Sequence, residues 1–343
     1  MRKAVRAVVF FIVLAGLVMV LNNLTLNRRS EGCIQLSEFY EMEEDSIDLL
    51  CIGSSHIYYG INTCRLYDEY GIASYLLASP GQPVWLSYYL LEEALKTQEP
   101  ELVLFDIGTL YRKEEDFGAY SWETLISMKP SYTKWKAIQA VNQYQECVDA
   151  VGAFLSFPYY HTRYAALTSE DFENTQEIRY HGYKPDFTVI TEKELKKWEG
   201  AVQGITDTLV YPKGEKPITE RTEEHLRKLI DLCQEKDIPL LLVNAPYANE
   251  VDEKREADAY ISRIAQEYGV PLIYGNNFRQ EMQIDFAADL LDASHLNYYG
   301  SVKYTDYLAA WIEENCSLPD RRGNEGYQSW QEASELFWEQ VMS

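Results

Sequence analysis

Five short apolar runs, each leading into a corner of small or polar residues and then into a helix-forming segment, constrain this chain more than any other feature. They lie at residues 47–52, 72–78, 102–105, 239–243 and 271–274. A helical segment near 63–70 ends at Gly71, and another from 84 to about 97 stops before Pro100. Leu226, Leu229, Ile230 and Cys233 share one helical face behind Thr222 as a candidate N-cap; Ala257, Tyr260, Ile261, Ile264 and Tyr268 share another, ended by Gly269. A last helix spans about 298–315. Strands alternating with helices predict βαβ units on a parallel sheet. In such a sheet the loops after the strands' carboxyl ends gather at one edge, where α/β proteins place their sites.

The rhythm is interrupted at about 111–217, a stretch rich in Tyr and polar residues, with a helix predicted over 132–155. This reads as an insertion that covers or borders the site. At the other end, Arg2, Lys3 and Arg6 precede the uncharged run 7–21. A basic start and an apolar run predict a signal sequence or an uncleaved anchor, and the second is preferred because no A-x-A site follows. The organisation expected is an anchor at 1–26, a linker at 27–44, an α/β domain at 45–317 and a polar tail at 318–343. In that tail Trp330, Ala333 and Phe337 suggest an amphipathic helix. The chain is then a single-pass cell-membrane protein with its domain outside the cytoplasm.

Two corners carry chemistry. The first, Gly53-Ser54-Ser55-His56, follows the first strand; its bland reading is a connecting turn. The second, Asp292-Ala293-Ser294-His295-Leu296-Asn297, precedes the last helix; its bland reading is a loop that caps that helix. Both fall at the same predicted edge. There a serine beside a histidine oriented by an aspartate is an activated nucleophile.

With these residues the chain resembles the SGNH (GDSL-like) hydrolase superfamily over residues 46–109 and 222–315. Gly53-Ser54-Ser55-His56 matches the first family block, with Ser54 in place of the usual Asp, and Asp292-x-x-His295 matches the last. The resemblance implies a three-layer, flavodoxin-like sheet. It also implies Ser55 as nucleophile, His295 as base, Asp292 as its orienting carboxylate, and an oxyanion hole from the N–H groups of Ser55 and Gly81. The place of the family's Gly-x-Asn-Asp block reads Phe105-Asp106-Ile107-Gly108-Thr109, so its side-chain Asn donor is lacking. Ser54, His56, Asp106, Thr109 and Asn244 are candidate site-lining residues. Anchor, Gly-Ser-Ser form and insertion together look like the anchored extracytoplasmic DltD-like and alginate-acetylation groups. Those groups imply acyl transfer on a cell-envelope glycan, with an acylated carrier and a multispanning membrane acyltransferase as candidate partners. The alternatives are a non-catalytic docking partner of such an acyltransferase and a lipid-directed esterase.

Composition narrows the classes further. The formal net charge is -23, which repels phosphate backbones and argues against nucleic-acid binding. The six cysteines form no C-x-x-C pair, so no zinc site is expected, nor any cofactor. Asp285 and Asp289 read as solvated loop charges. The run Phe157-Pro158-Tyr159-Tyr160-His161-Thr162-Arg163-Tyr164 is a candidate sugar platform whose bland reading is packing, and Arg112 and Arg163 are candidate anion binders that the sequence does not place.

Overall fold

The computed structural model describes residues 2–25, 30–112, 119–143, 150–155, 157–168, 180–205 and 216–341. Parts of the expected linker, the insertion and the 132–155 helix, together with Cys147, lie outside these residues.

Five strands form one sheet: β1 (Leu49–Gly53), β2 (Ser74–Ala78), β3 (Leu102–Asp106), β4 (Leu240–Asn244) and β5 (Leu272–Tyr274). Their order is β2-β1-β3-β4-β5 and every pairing is parallel. The α/β sheet expected from the alternation is therefore present. The strands are buried on both faces, so successive residues feed two cores. Leu50 and Ile52 of β1 join Val103, Phe105 and Leu242 on one side, whereas Leu49 and Cys51 join Leu104, Leu241 and Val243 on the other. Helices Val84–Ala94, Glu220–Glu235 and Asp252–Tyr268 contribute to the first core; Ser55–Gly60, Thr63–Tyr70 and Tyr298–Asn315 contribute to the second. The chain leaves β1 towards β2 and returns past it to β3. The crevice at the carboxyl end of β1 is thus the switch point at which such sheets bind ligands.

Several expectations shift in detail. The N-cap of Glu220–Glu235 is Thr219, whose side chain accepts from the Thr222 N–H, and not Thr222 itself. Within the stretch read as a linker, Cys33–Phe39 is a helix with Cys33, Leu36 and Phe39 in the core. The polar tail carries helix Gln328–Val341, which lies against Thr63–Tyr70 and buries Trp330 and Phe337. Of the 132–155 helix, the described parts Tyr132–Asn142 and Ala150–Leu155 are helical. Cys33, Cys51, Cys64, Cys233 and Cys316 are free thiols.

The two halves of the insertion behave differently. Tyr132–Asn142 packs on Val84–Ala94, behind the sheet. Residues 180–205 run past the site: His181 O accepts from Leu76 N (3.0 Å), covering the free edge of β2, Lys184 N donates to Tyr58 O (2.8 Å), and Ile190 N donates to Leu290 O (2.8 Å). At the N-terminus, Arg2–Thr25 is one helix; within Arg2–Asn22 an 18-residue window has a mean hydropathy of 2.7 and none of it is buried, so the helix is long and apolar enough to cross a membrane. Its last turn meets the aromatic run of the insertion, where Phe157 N donates to Asn22 Oδ1 (2.8 Å). That run therefore lies at the end of the apolar helix.

Candidate active site

The corner after β1 is built by three residues with distinct tasks. Gly53 touches β3: a Cβ on it would fall 2.4 Å from Asp106 Cβ and 2.9 Å from Ile57 Cγ1, so no side chain fits. Ser54 is fully buried and tied to Asp106, donating to Oδ2 from its hydroxyl (2.6 Å) and from its N–H (3.2 Å). The same hydroxyl accepts from His56 N (3.3 Å) and so caps helix Ser55–Gly60. Ser55 is the first residue of that helix and is half-buried. Ser54 thus shapes the turn, and Ser55 is the hydroxyl it presents.

The loop before the last helix is held as firmly. Leu290 and Leu296 form an antiparallel bridge across it. Ala293 O accepts from Ala248 N (2.8 Å) and Asn249 N (3.1 Å), which fastens it to the loop after β4. Asn297 caps helix Tyr298–Asn315 by accepting from Gly300 N (3.1 Å), while its amide donates to Ala288 O (2.8 Å) and Thr188 O (3.1 Å).

These two corners, 240 residues apart in sequence, meet: His295 Nε2 lies 2.7 Å from Ser55 Oγ. On the other side of the ring, His295 Nδ1 is 2.9 Å from Asp292 Oδ2 and 3.0 Å from Oδ1. Asp292 Oδ1 also accepts from the N–H groups of Ser294 (2.7 Å) and His295 (3.0 Å). Partial burial opposes ionisation of Asp292, but the ring and these two N–H groups outweigh it and hold the carboxyl below its usual range. With Nδ1–H donated to this carboxylate, Nε2 turns its lone pair to Ser55. Such an array can take a proton from the hydroxyl as the oxygen attacks an electrophile, and can return it later.

The remaining candidates occupy different layers. Asp106 is buried; burial opposes its charge, but the His56 ring, the Ser54 hydroxyl and the Gly108 N–H (2.8 Å) outweigh it and lower its pKa. His56 is buried behind His295, its ring 5.3 Å away, and stacks 6.5 Å from Tyr247. Thr109 is buried and braces the loop after β2 by donating to Gln82 O (3.0 Å). Asn244 is fully buried and donates to Asp258 Oδ2 (3.1 Å). These four support the site from beneath. Burial also drives the nearby Lys254 down and Asp258 up in pKa. Asp289, read as a solvated charge, is buried and paired with Lys303 (2.6 Å).

Burial pushes the His56 imidazole from 6.5 down to about 4. The unfolded chain therefore takes up this proton first. The stability tied to a neutral ring is complete above the unfolded value and is lost as pH falls towards the folded one. His56→Gln removes that dependence. In urea unfolding at pH 7 and pH 4.5, the variant should lose about 1–3 kcal/mol less than wild type between the two.

Sequence reading did not find the aromatic residues around the site. Tyr59 lies edge-on to His295, with ring centroids 5.4 Å apart, and Lys184 Nζ stands 5.7 Å from its centroid. Phe187 is 43% exposed and Tyr299 50%; the Phe187 ring lies tilted against Tyr298, three residues past His295 in the chain, with centroids 4.8 Å apart. The only signal for them was position: Tyr59 is one turn beyond Ser55, and Tyr298 three residues beyond His295.

Sheet order, the serine after β1 and the Asp-x-x-His loop before the last helix together give the α/β architecture expected from the resemblance to the SGNH (GDSL-like) hydrolases. No protein-family profile and no curated protein matches the chain. Among solved structures, a GDSL-like lipase from Bacteroides thetaiotaomicron VPI-5482 is similar at 11% identity and a TM-score of 0.37, over 81% of this chain and 95% of that one. An acetylxylan esterase from Geobacillus stearothermophilus is similar at 15% identity and a TM-score of 0.38, over 82% and 99%. These likenesses are loose.

Proposed function

We propose that this protein is a serine-dependent esterase or acyltransferase acting on a cell-envelope glycan, held at the membrane by Arg2–Thr25 with its α/β domain on the extracytoplasmic side. The observation that carries the reading is the unbroken Ser55–His295–Asp292 chain, with contacts of 2.7 and 2.9 Å. His295 removes the Ser55 proton as Oγ attacks an acyl carbonyl, and Asp292 stabilises the imidazolium. The leaving alcohol takes the proton, and a sugar hydroxyl or water, again deprotonated by His295, resolves the acyl-serine. Tyr59, half-buried and edge-on to His295 at 5.4 Å, supports a sugar at the leaving-group side, since aromatic rings pack on sugar rings and His295 must reach the departing oxygen. The DltD-like and alginate-acetylation groups suggest an acetyl or similar small acyl group, and a membrane acyltransferase as the source of the acyl carrier.

The test is covalent labelling of the full-length protein in detergent with a fluorophosphonate. Wild type should label, and Ser55→Ala should not, with both melting at the same temperature. A wild-type protein that fails to label is instead the docking partner of an acyltransferase, without catalysis of its own.

A further inference from the structure

Attack on a carbonyl places negative charge on its oxygen, and the site must meet it with donors. Two backbone groups are free to do so. The N–H groups of Ser55 and Gly81 have no acceptor among the described residues, and Gly81 is held at φ +59° in the loop that follows β2. β2 pairs with β1 in register, Ala78 opposite Gly53, so this loop stands beside the Ser55 corner.

Beside Gly81 there is also a side chain. Arg112 Nη1 lies 3.1 Å from the point that a Cβ on Gly81 would occupy. A Cβ sits about 2.5 Å from its own backbone nitrogen, so Nη1 is at most about 5.6 Å from Gly81 N. Two donors each about 2.9 Å from one shared oxygen can stand up to about 5.8 Å apart. One oxygen can therefore accept from both. The guanidinium is half-buried, and its side chain makes no hydrogen bond or ion pair among the described residues. In a chain with 54 carboxylate residues against 31 Lys and Arg, a guanidinium without a carboxylate partner among the described residues is open to another anion. The loop that carries it is fixed relative to Gly81: Arg112 N donates to Thr109 O (3.1 Å), and Thr109 Oγ1 donates to Gln82 O (3.0 Å).

We propose that Arg112 is the third oxyanion donor of this site, acting with the Ser55 and Gly81 N–H groups. The inference rests on the reading of Ser55 as nucleophile. As the Ser55 Oγ–carbon bond forms, the carbonyl π pair moves onto oxygen and the hydroxyl proton passes to His295 Nε2. The oxygen then gains a charge-assisted hydrogen bond from the guanidinium. When the tetrahedral species collapses, the pair returns, the alcohol leaves with the proton from His295, and Arg112 is again free.

The test is steady-state hydrolysis of p-nitrophenyl acetate by the full-length protein in detergent. Arg112→Ala should lower kcat about 10²–10³-fold with little change in KM, because the charge exists only in the transition state. Arg112→Lys should recover part of the loss, and added guanidinium ion should partly rescue the alanine variant. Circular dichroism and the melting temperature of each variant separate a folding defect from a catalytic one; if the alanine variant does not fold, Arg112→Gln takes its place. An unchanged kcat in a folded variant overturns the proposal. So does a rise in KM confined to esters with a carboxylate on the acyl chain, which would make Arg112 a substrate-anion site. Wild type that does not label removes the nucleophile reading, and the proposal with it; labelled wild type with an unaffected Arg112→Ala removes only the proposal.

Discussion

His295→Ala should lower kcat for ester cleavage by about six orders of magnitude while leaving the melting temperature unchanged, and Asp292→Asn should lower it by about four. The two losses differ because the residues act in series. His295 contacts the Ser55 hydroxyl directly at 2.7 Å; without it nothing accepts the proton, and removing the serine as well adds little further loss. Asp292 touches only the ring. An amide at its place keeps the shape but offers an N–H where the ring offers its own, so the imidazole turns or changes tautomer. Neither residue is part of the apolar core: both are half-buried, so substitution leaves the fold standing. Single-turnover release of p-nitrophenol from wild type and both variants measures this. A fall of less than tenfold in His295→Ala would remove His295 from the reaction.

The second large effect falls on stability. Asp106→Ala should destabilise the domain by about 3–5 kcal/mol and lower its melting temperature by about 10 °C. Asp106 is 1% exposed and accepts from three donors, Ser54 N–H, Ser54 O–H and Gly108 N–H. Alanine leaves all three buried without an acceptor. The change also frees Ser54, the residue that sets where Ser55 begins its helix, and a shift of about 1 Å there would cost a further factor of about 10² in kcat. Thermal melts read the first effect, and kcat measured well below the variant's melting point reads the second. Wild-type stability in Asp106→Ala would mean that the corner is organised by Gly53 and the helix alone.

The sheet was legible because each strand is a short run of residues apolar on both faces, punctuated by Gly71, Gly269 and the Pro-rich corner after β2. Strand bounds moved by one or two residues, since a hydrogen-bonded ladder begins where a partner strand lies opposite and not where the apolar run begins. The two site corners were legible for the same reason: both sit at element boundaries that the pattern marks. The amphipathic helix expected in the tail is present as Gln328–Val341, with Trp330, Ala333 and Phe337 buried, whereas the stretch read as a linker holds a core helix, Cys33–Phe39, whose apolar residues find partners only after the sheet exists. Thr109 and Asn244 were expected to line the site. Each does lie at a strand's carboxyl end, but its side chain turns inward to satisfy another buried polar group, Gln82 O in one case and Asp258 in the other. Periodicity predicts which face a residue is on and says nothing of hydrogen-bond partners brought from elsewhere in the chain.

By itself the sequence determined the class of fold, the order of its elements, the apolar N-terminal helix and the identity of the three residues that meet at the crevice. Local patterns suffice for these, because strand, turn and helix propensities act over a few residues. Only the tertiary structure decided that Ser54 is tied to Asp106, that the insertion sends residues 180–205 past the site and its Phe157 run to the end of the apolar helix, and that Arg112 stands over Gly81. Each of these depends on contacts between residues tens to hundreds of positions apart, and the distance between such residues is set by how the layers pack.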